Sequence, residues 1–269
     1  MTDRPLILLS NDDGFDAAGI LALREALEDF ADVILCAPKT NQSAASHALT
    51  LQGVLRLQRV DDRTYAVNGT PADCVYVALH SKDRILPRRP DLVVSGMNHG
   101  PNLGADVVYS GTVAAAREAA LRGIPAVAVS SDLAADRPAA ARIGASIARA
   151  TWDLWRGADR PARAALLNVN VPAGPSAGVM ATKLGARLYD DEVVYRRDPR
   201  GYEYLWIGGT EVHHELTEGT DTAAWEAGFA SVTPLAYDLY AGEGALELAY
   251  RVVEDRNRAA QGRSASREG

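Results

Sequence analysis

Cysteine is nearly missing from this chain of 269 residues: Cys36 and Cys74 are the only two, and both lie in apolar segments. That scarcity excludes a disulfide framework and makes a reduced, cytoplasmic setting the expectation. No apolar stretch approaches the roughly 20 residues needed to span a bilayer. Nor does a long apolar stretch follow the opening Met-Thr-Asp-Arg-Pro, as a secretory leader would require. An excess of positive charge is absent as well. The net charge is -7 and the isoelectric point is near 5.3, so neither a nucleic-acid polymer nor a membrane surface is an expected partner. Several catalytic signatures are also missing. There is no G-x-x-x-x-G-K-[ST] and no G-x-G-x-x-G after the first apolar run. P-loop and dinucleotide readings therefore lack their marks. The five histidines and two cysteines do not form a zinc pattern.

What is present is an ordinary globular composition, 47% hydrophobic and 23% charged, on a chain long enough for one large α/β domain with an elaboration. The short apolar run Leu6-Ile7-Leu8-Leu9 reads as a buried strand. Ile20, Leu23, Leu27 and Phe30 then recur at helical spacing, predicting a helix over 19–30. Val33-Ile34-Leu35-Cys36-Ala37 is a second strand, stopped by Pro38. Strand, helix and strand so close together form a βαβ unit, which implies a parallel sheet. The pattern returns in a strand at 91–95, a helix over 112–122, a strand at 126–130, an Ala-rich helix over 138–155 and a strand at 165–171. Thr70-Pro71-Ala72-Asp73 has the form of a helix start, with Thr70 as N-cap and Asp73 in the capping-box position. From about residue 180 the chain changes to short β-prone runs, at 193–195, 202–207 and 231–233, which predict an antiparallel arm. Isolated hairpins are marginal in water, so such an arm is expected to pack on a neighbouring subunit. We divide the chain into a core over 1–180, an arm or oligomerisation region over 181–253 and a charged, disordered tail over 254–269.

Asn11-Asp12-Asp13-Gly14 follows the first strand directly. In an open α/β sheet, ligands gather beyond the carboxyl ends of the strands. Two adjacent carboxylates repel one another unless a cation or proton relieves them, and a hard divalent ion suits their oxygens. The competing reading is a turn that only starts a helix. Ser43 and Asn98 fall at the ends of later strands, on the same predicted edge, and offer a hydroxyl and an amide oxygen. Each has a competing reading, Ser43 as a helix cap and Asn98 as a turn residue. Tyr109-Ser110-Gly111-Thr112 precedes a helix, where free N–H groups at Ser110, Gly111 and Thr112 make an anion site or an ordinary N-cap. A metal and an anion site on one edge suggest phosphoryl chemistry, with a metal-activated water as nucleophile or, alternatively, attack by one carboxylate. His47 reads either as a proton donor lining the site or as a satisfied loop histidine. His213-His214 reads as surface.

These motifs, in this order, resemble those of SurE, the survival protein family of metal-dependent nucleotidases. The resemblance runs from Leu6 to about Leu239. It is carried by Asn11-Asp12-Asp13-Gly14, by Ala37-Pro38 through Gln42-Ser43 with Ser46-His47, and by Asn68-Gly69-Thr70-Pro71-Ala72-Asp73-Cys74-Val75. Ser95-Gly96-Met97-Asn98-His99-Gly100, Asn102-Leu103-Gly104 and Tyr109-Ser110-Gly111-Thr112-Val113 follow. Trp206-Ile207-Gly208-Gly209, Gly219-Thr220-Asp221 and Ser231-Val232-Thr233-Pro234-Leu235 look like its arm segments. The resemblance implies a Rossmann-like, mostly parallel sheet flanked by helices, with a C-terminal β-hairpin arm or swapped segment. It implies one divalent ion per subunit (Mg²⁺ or Mn²⁺, with Ca²⁺ a possible occupant in a crystal) held by Asp12, Asp13, Ser43 and Asn98. Substrate would meet Asn11, Asn98, Ser110, Gly111, Thr112 and His47, with Asp12 and Asp13 catalytic. The implied activity is hydrolysis of nucleoside 5′-monophosphates, extending to 3′-monophosphates and short polyphosphate, by a homodimer or homotetramer built through its arms. Two alternatives stand beside it: a broad acid phosphatase or exopolyphosphatase, and a nucleotide-sensing module without turnover.

Overall fold

The computed structural model describes residues 4–157, 163–189, 193–207, 212–240, 246–247 and 250–253. Met1–Leu235 make one compact unit and Ala236–Gly269 a second; the elements below belong to the first. In chain order they begin with β1 (Leu6–Ser10), α1 (Ala18–Glu28), β2 (Asp32–Pro38), β3 (Leu57–Arg59), β4 (Thr64–Val67) and α2 (Pro71–His80). There follow β5 (Leu92–His99), α3 (Asp106–Tyr109), α4 (Gly111–Leu121), β6 (Ala126–Ser131), α5 (Arg137–Arg156) and β7 (Leu166–Val171). The last are β8 (Val179–Ala181), β9 (Ala186–Tyr189), β10 (Val193–Arg197), β11 (Glu203–Ile207), β12 (Val212–Glu215), α6 (Asp221–Glu226) and β13 (Ala230–Pro234).

Nine strands join one sheet in the order β3-β4-β2-β1-β5-β6-β7-β13-β8. From β4 across to β7 every pair is parallel, while β3 and β13 run antiparallel to β4 and β7. All residues of β1 are buried, as a central strand covered on both faces must be. Ile7 and Leu9 pack with Ile20, Leu23 and Leu27 of α1 and with the small Ala140, Ala141, Ala145 and Ala148 of α5. Alternate strand residues point the opposite way, toward the face where α2 and α4 pack together. The predicted capping box at α2 is present, Thr70 and Asp73 each bonding the other's backbone N–H.

The chain moves from β1 to β2 on one side and later returns to β5 on the other. The crevice beyond the carboxyl ends of β1 and β5 is therefore the point where strand order reverses, the usual ligand position in such sheets.

The stretch assigned to an arm is divided. The pairs β10–β11 and β9–β12 each form a separate two-stranded sheet, but β13, from within the same stretch, lies in the main sheet between β7 and β8. Ala230 and Ser231 are buried there. A five-residue run carries too short a pattern to distinguish a hairpin from a sheet strand. The tail assigned to 254–269 lies outside the described residues.

Candidate active site

The turn after β1 is closed by its own first residue. Asn11 donates through Nδ2 to the Gly14 carbonyl at 2.8 Å, and its Oδ1 accepts the Gly14 N–H at 3.2 Å. Both polar ends of Asn11 thus shape the turn that carries the acids. Asp12 is buried. Its Oδ2 accepts the Thr112 N–H at 3.1 Å, and its Oδ1 accepts the Thr112 hydroxyl. Thr112 lies in the first turn of α4, where the helix has no carbonyls of its own to offer its N–H groups. At this helix N-terminus the Thr112 donors are taken by the Asp12 carboxylate.

This contact depends on a missing side chain. A Cβ at Gly111 would sit 2.8 Å from Asp12 Cβ and 3.0 Å from Pro71 Cγ. Burial pushes the Asp12 carboxyl up from its ordinary value; the Thr112 bonds pull it down, and the neighbouring Asp13 charge raises it again, leaving it raised on balance. Asp13 accepts the His99 N–H at 3.1 Å and the Asn41 amide at 3.4 Å, and the His99 ring lies 4.0 Å from its Oδ2.

Asp12, Ser43, Asn98 and Ser110 line one cavity of about 320 Å³, together with His99, Asn102, Asp106, Tyr109, Arg187 and Tyr189. Ser43 donates its hydroxyl hydrogen to Asn41 Oδ1 at 2.7 Å, which leaves its oxygen lone pairs available. Asn98 spends its Nδ2 on the Gly100 carbonyl at 2.8 Å, which leaves its Oδ1 as an acceptor. Ser110 Oγ accepts the Val113 N–H at 3.1 Å as the cap of α4, so its hydroxyl hydrogen is still available to a ligand.

His47 is placed elsewhere. Its Nδ1 accepts from Arg117 Nε at 2.9 Å, so the proton sits on Nε2, which meets Glu118 Oε2 at 2.9 Å. Glu118 is fully buried in α4 and also takes Arg122 at 2.9 Å. His47 is absent from the cavity lining; it ties the loop after β2 to the side of α4. His214, read as surface, has a side chain only 13% exposed and pairs with Glu226.

Several site residues were not apparent from the sequence. Arg187 and Tyr189, on β9, reach the cavity from the arm region. Arg187 Nη1 pairs with Asp106 Oδ2, and the Tyr189 hydroxyl donates to Asp106 Oδ1 at 2.6 Å. Burial first, then the Asp106 bond and charge, push the Tyr189 phenol up to about 12, so it remains a donor. The start of β9 is fastened by Asp221, whose buried carboxylate accepts the N–H groups of Gly104 at 3.0 Å and Gly185 at 2.7 Å. Glycine is needed at 104, since a Cβ there would lie 2.6 Å from the Gly185 carbonyl oxygen. Asn102 is held by Asn170 Oδ1 at 2.7 Å and by Ser130 at 2.8 Å, fixing the loop between β5 and α3.

Among the described residues no three His, Cys, Asp or Glu side chains gather as a metal site. The set at the β1–β5 crevice instead has two adjacent carboxylates, one hydroxyl and one amide oxygen. The Asp12 carboxylate is buried with no cationic side chain among its bonded partners. The Ser43 and Asn98 oxygens both have acceptor capacity left. An all-oxygen set of this kind fits a hard divalent cation.

The chain matches the family described as Survival protein SurE over residues 7–191. It is 61% identical over 242 residues to the 5′-nucleotidase SurE of Sorangium cellulosum, covering 89% of this chain and 93% of that protein. It is 46% identical over 242 residues to the 5′-nucleotidase SurE of Myxococcus xanthus, covering 89% and 90%. Among solved structures, the SurE protein from Aquifex aeolicus superposes with a TM-score of 0.77 at 35% identity, covering 93% of this chain and 100% of that one.

Proposed function

The chain belongs to the SurE survival-protein family, and on that premise we propose that it is a divalent-metal-dependent nucleotidase acting on nucleoside 5′-monophosphates. The observation that carries the reading is the pairing of a buried Asp12 with the acceptor oxygens of Ser43 and Asn98 around one cavity. Relatives at up to 61% identity that bear the name 5′-nucleotidase support the reaction class. Nucleoside 3′-monophosphates and short polyphosphate are the further substrates we assign.

Asp12, Asp13, Ser43 and Asn98 would hold the ion, Mg²⁺ or Mn²⁺. When bound, such an ion supplies Lewis acidity toward a phosphate oxygen and acidifies its water. The protein's own contribution is positional. Thr112 fixes both oxygens of Asp12 before substrate arrives, so no reorganisation is needed as charge moves. The Ser110 hydroxyl and the Gly111 N–H stand at the open first turn of α4 and are the donors we assign to phosphate oxygens. Thr112 is spent on Asp12, and His47 on Glu118, so neither is assigned to substrate.

Among the described residues no helix is long and apolar enough to cross a membrane. Buried free thiols at Cys36 and Cys74 support a reducing, cytoplasmic location. The hairpin β10–β11 leaves Tyr195, Trp206 and Ile207 mostly exposed, which supports burial against another copy in a homodimer or homotetramer.

Phosphate release from 5′-nucleotides, 3′-nucleotides and tripolyphosphate, measured with Mg²⁺ or Mn²⁺ in turn, tests the proposal. Metal-dependent release, greatest on 5′-nucleotides, is expected. Tight nucleotide binding with no phosphate released would replace it with the sensing reading, and equal release from every ester would replace it with a broad phosphatase.

A further inference from the structure

We propose that Arg187, with Asp106 and the rings of Tyr109 and Tyr189, forms a nucleoside-recognition wall of the cavity that Asp12 also lines. The inference rests on the nucleotidase reading and adds the residues that would select the non-reacting part of the substrate.

Four observations converge. All four side chains line the same cavity as Asp12, Ser43 and Asn98. The Arg187 guanidinium is paired to Asp106, with its Nη1 also 3.4 Å from the Pro101 carbonyl. Its Nε–H, by contrast, is buried with no hydrogen-bond partner. A buried donor left unmatched costs free energy unless a ligand completes it. Finally, Tyr109 and Tyr189 are 66% and 43% exposed, an unusual amount of open aromatic surface around a small polar cavity, and the Arg187 guanidinium lies 5.3 Å from the Tyr189 ring.

The chemistry of the wall distinguishes between the parts of a nucleotide. A guanidinium bridged to a carboxylate presents little net charge, so it is poorly suited to a phosphate dianion. It keeps one unmatched N–H, and Asp106 keeps further acceptor lone pairs, which suit neutral groups such as ribose hydroxyls or base edges. Flat aromatic faces accept any base by stacking. The phosphate end of the cavity is furnished separately by Ser110 and the acidic turn. The wall is positioned by Asp221, which ties the start of β9 to the loop that leads into α3 and its Asp106.

Arg187→Lys keeps a cation beside Asp106 but removes the Nε–H. In one metal-saturated assay, the KM for a nucleoside 5′-monophosphate and the inhibition constant of inorganic phosphate are measured for wild type and variant. We expect KM to rise about tenfold, the equivalent of one lost hydrogen bond, with the phosphate constant within about twofold and kcat retained. A parallel rise in both, or no change in either, would overturn the inference. The wild-type protein provides a second readout that is independent of packing in the variant: free nucleosides should compete with the nucleotide substrate, and failure of every nucleoside to compete would also overturn it. If wild-type protein released phosphate from no nucleotide, the nucleotidase reading itself would fail, which is a separate outcome.

Discussion

Thr112 gives both its donors, the backbone N–H and the hydroxyl, to the carboxylate of Asp12, a residue 100 positions earlier in the chain. The first acid of the turn is thereby locked to the start of α4, and Thr112 sets the orientation of its carboxylate. Removing the hydroxyl with Thr112→Val should weaken Mn²⁺ binding by about 10–100-fold, the usual effect of losing a partner that orients a ligand. Thr112→Ser should restore it. Titration calorimetry with Mn²⁺ is the check.

Gly111 sets the distance of that contact. A methyl group there would press on Asp12 Cβ at 2.8 Å and Pro71 Cγ at 3.0 Å, and neither is the free end of a flexible chain. Gly111→Ala should lower stability by about 1–3 kcal/mol, as overpacking does, and reduce phosphate release together with it. Urea unfolding followed in parallel with activity would show whether the two losses coincide.

Much of this was legible in the sequence, for definable reasons. The parallel strands stand out because burial on both faces makes them continuous apolar runs, as in β1 and β2. The acidic turn stands out because it follows the first of these directly. Arg187 and Tyr189 were not legible. They lie on a four-residue strand with a half-exposed pattern, and their meeting with Asp106 is made through Asp221, by contacts that leave no local period. Thr112 was read as part of a phosphate site because a helix start signals an anion without saying whether that anion belongs to the protein. β3 and β4 went unpredicted: every residue of β3 is exposed, so it lacks the apolar signal on which strand assignment depends.

Glu118 predicts an acid limb of stability. Burial pushes its carboxyl up, but the hydrogen bonds from His47 and Arg122 and the Arg122 charge outweigh this, leaving it below the ordinary value of 4.5. A depressed carboxyl stabilises the fold above its unfolded pKa, and that contribution is lost as pH falls through the lower folded value. Glu118→Gln should therefore cost about 1–3 kcal/mol at neutral pH and flatten part of the loss of stability below pH 4.5. Denaturant titrations of wild type and variant at several acidic pH values measure both.

His47 should matter to the fold and not to proton transfer. With Nδ1 taken by Arg117 and Nε2 by Glu118, it has no free ring nitrogen for a leaving group. His47→Gln is expected to cost about 1 kcal/mol of stability while leaving the shape of the pH–rate profile intact. A vanished limb in that profile would return His47 to the chemistry.

The account rests on Asp12 and Asp13 holding a divalent ion that nucleotide hydrolysis requires. The most direct measurement is phosphate release from a nucleoside 5′-monophosphate by wild type, before and after EDTA and after Mn²⁺ is restored, beside Asp13→Asn. Release should fall by at least about 100-fold on chelation, return with Mn²⁺, and be lost to a similar degree in the variant. Full activity in EDTA, or in Asp13→Asn, would contradict it.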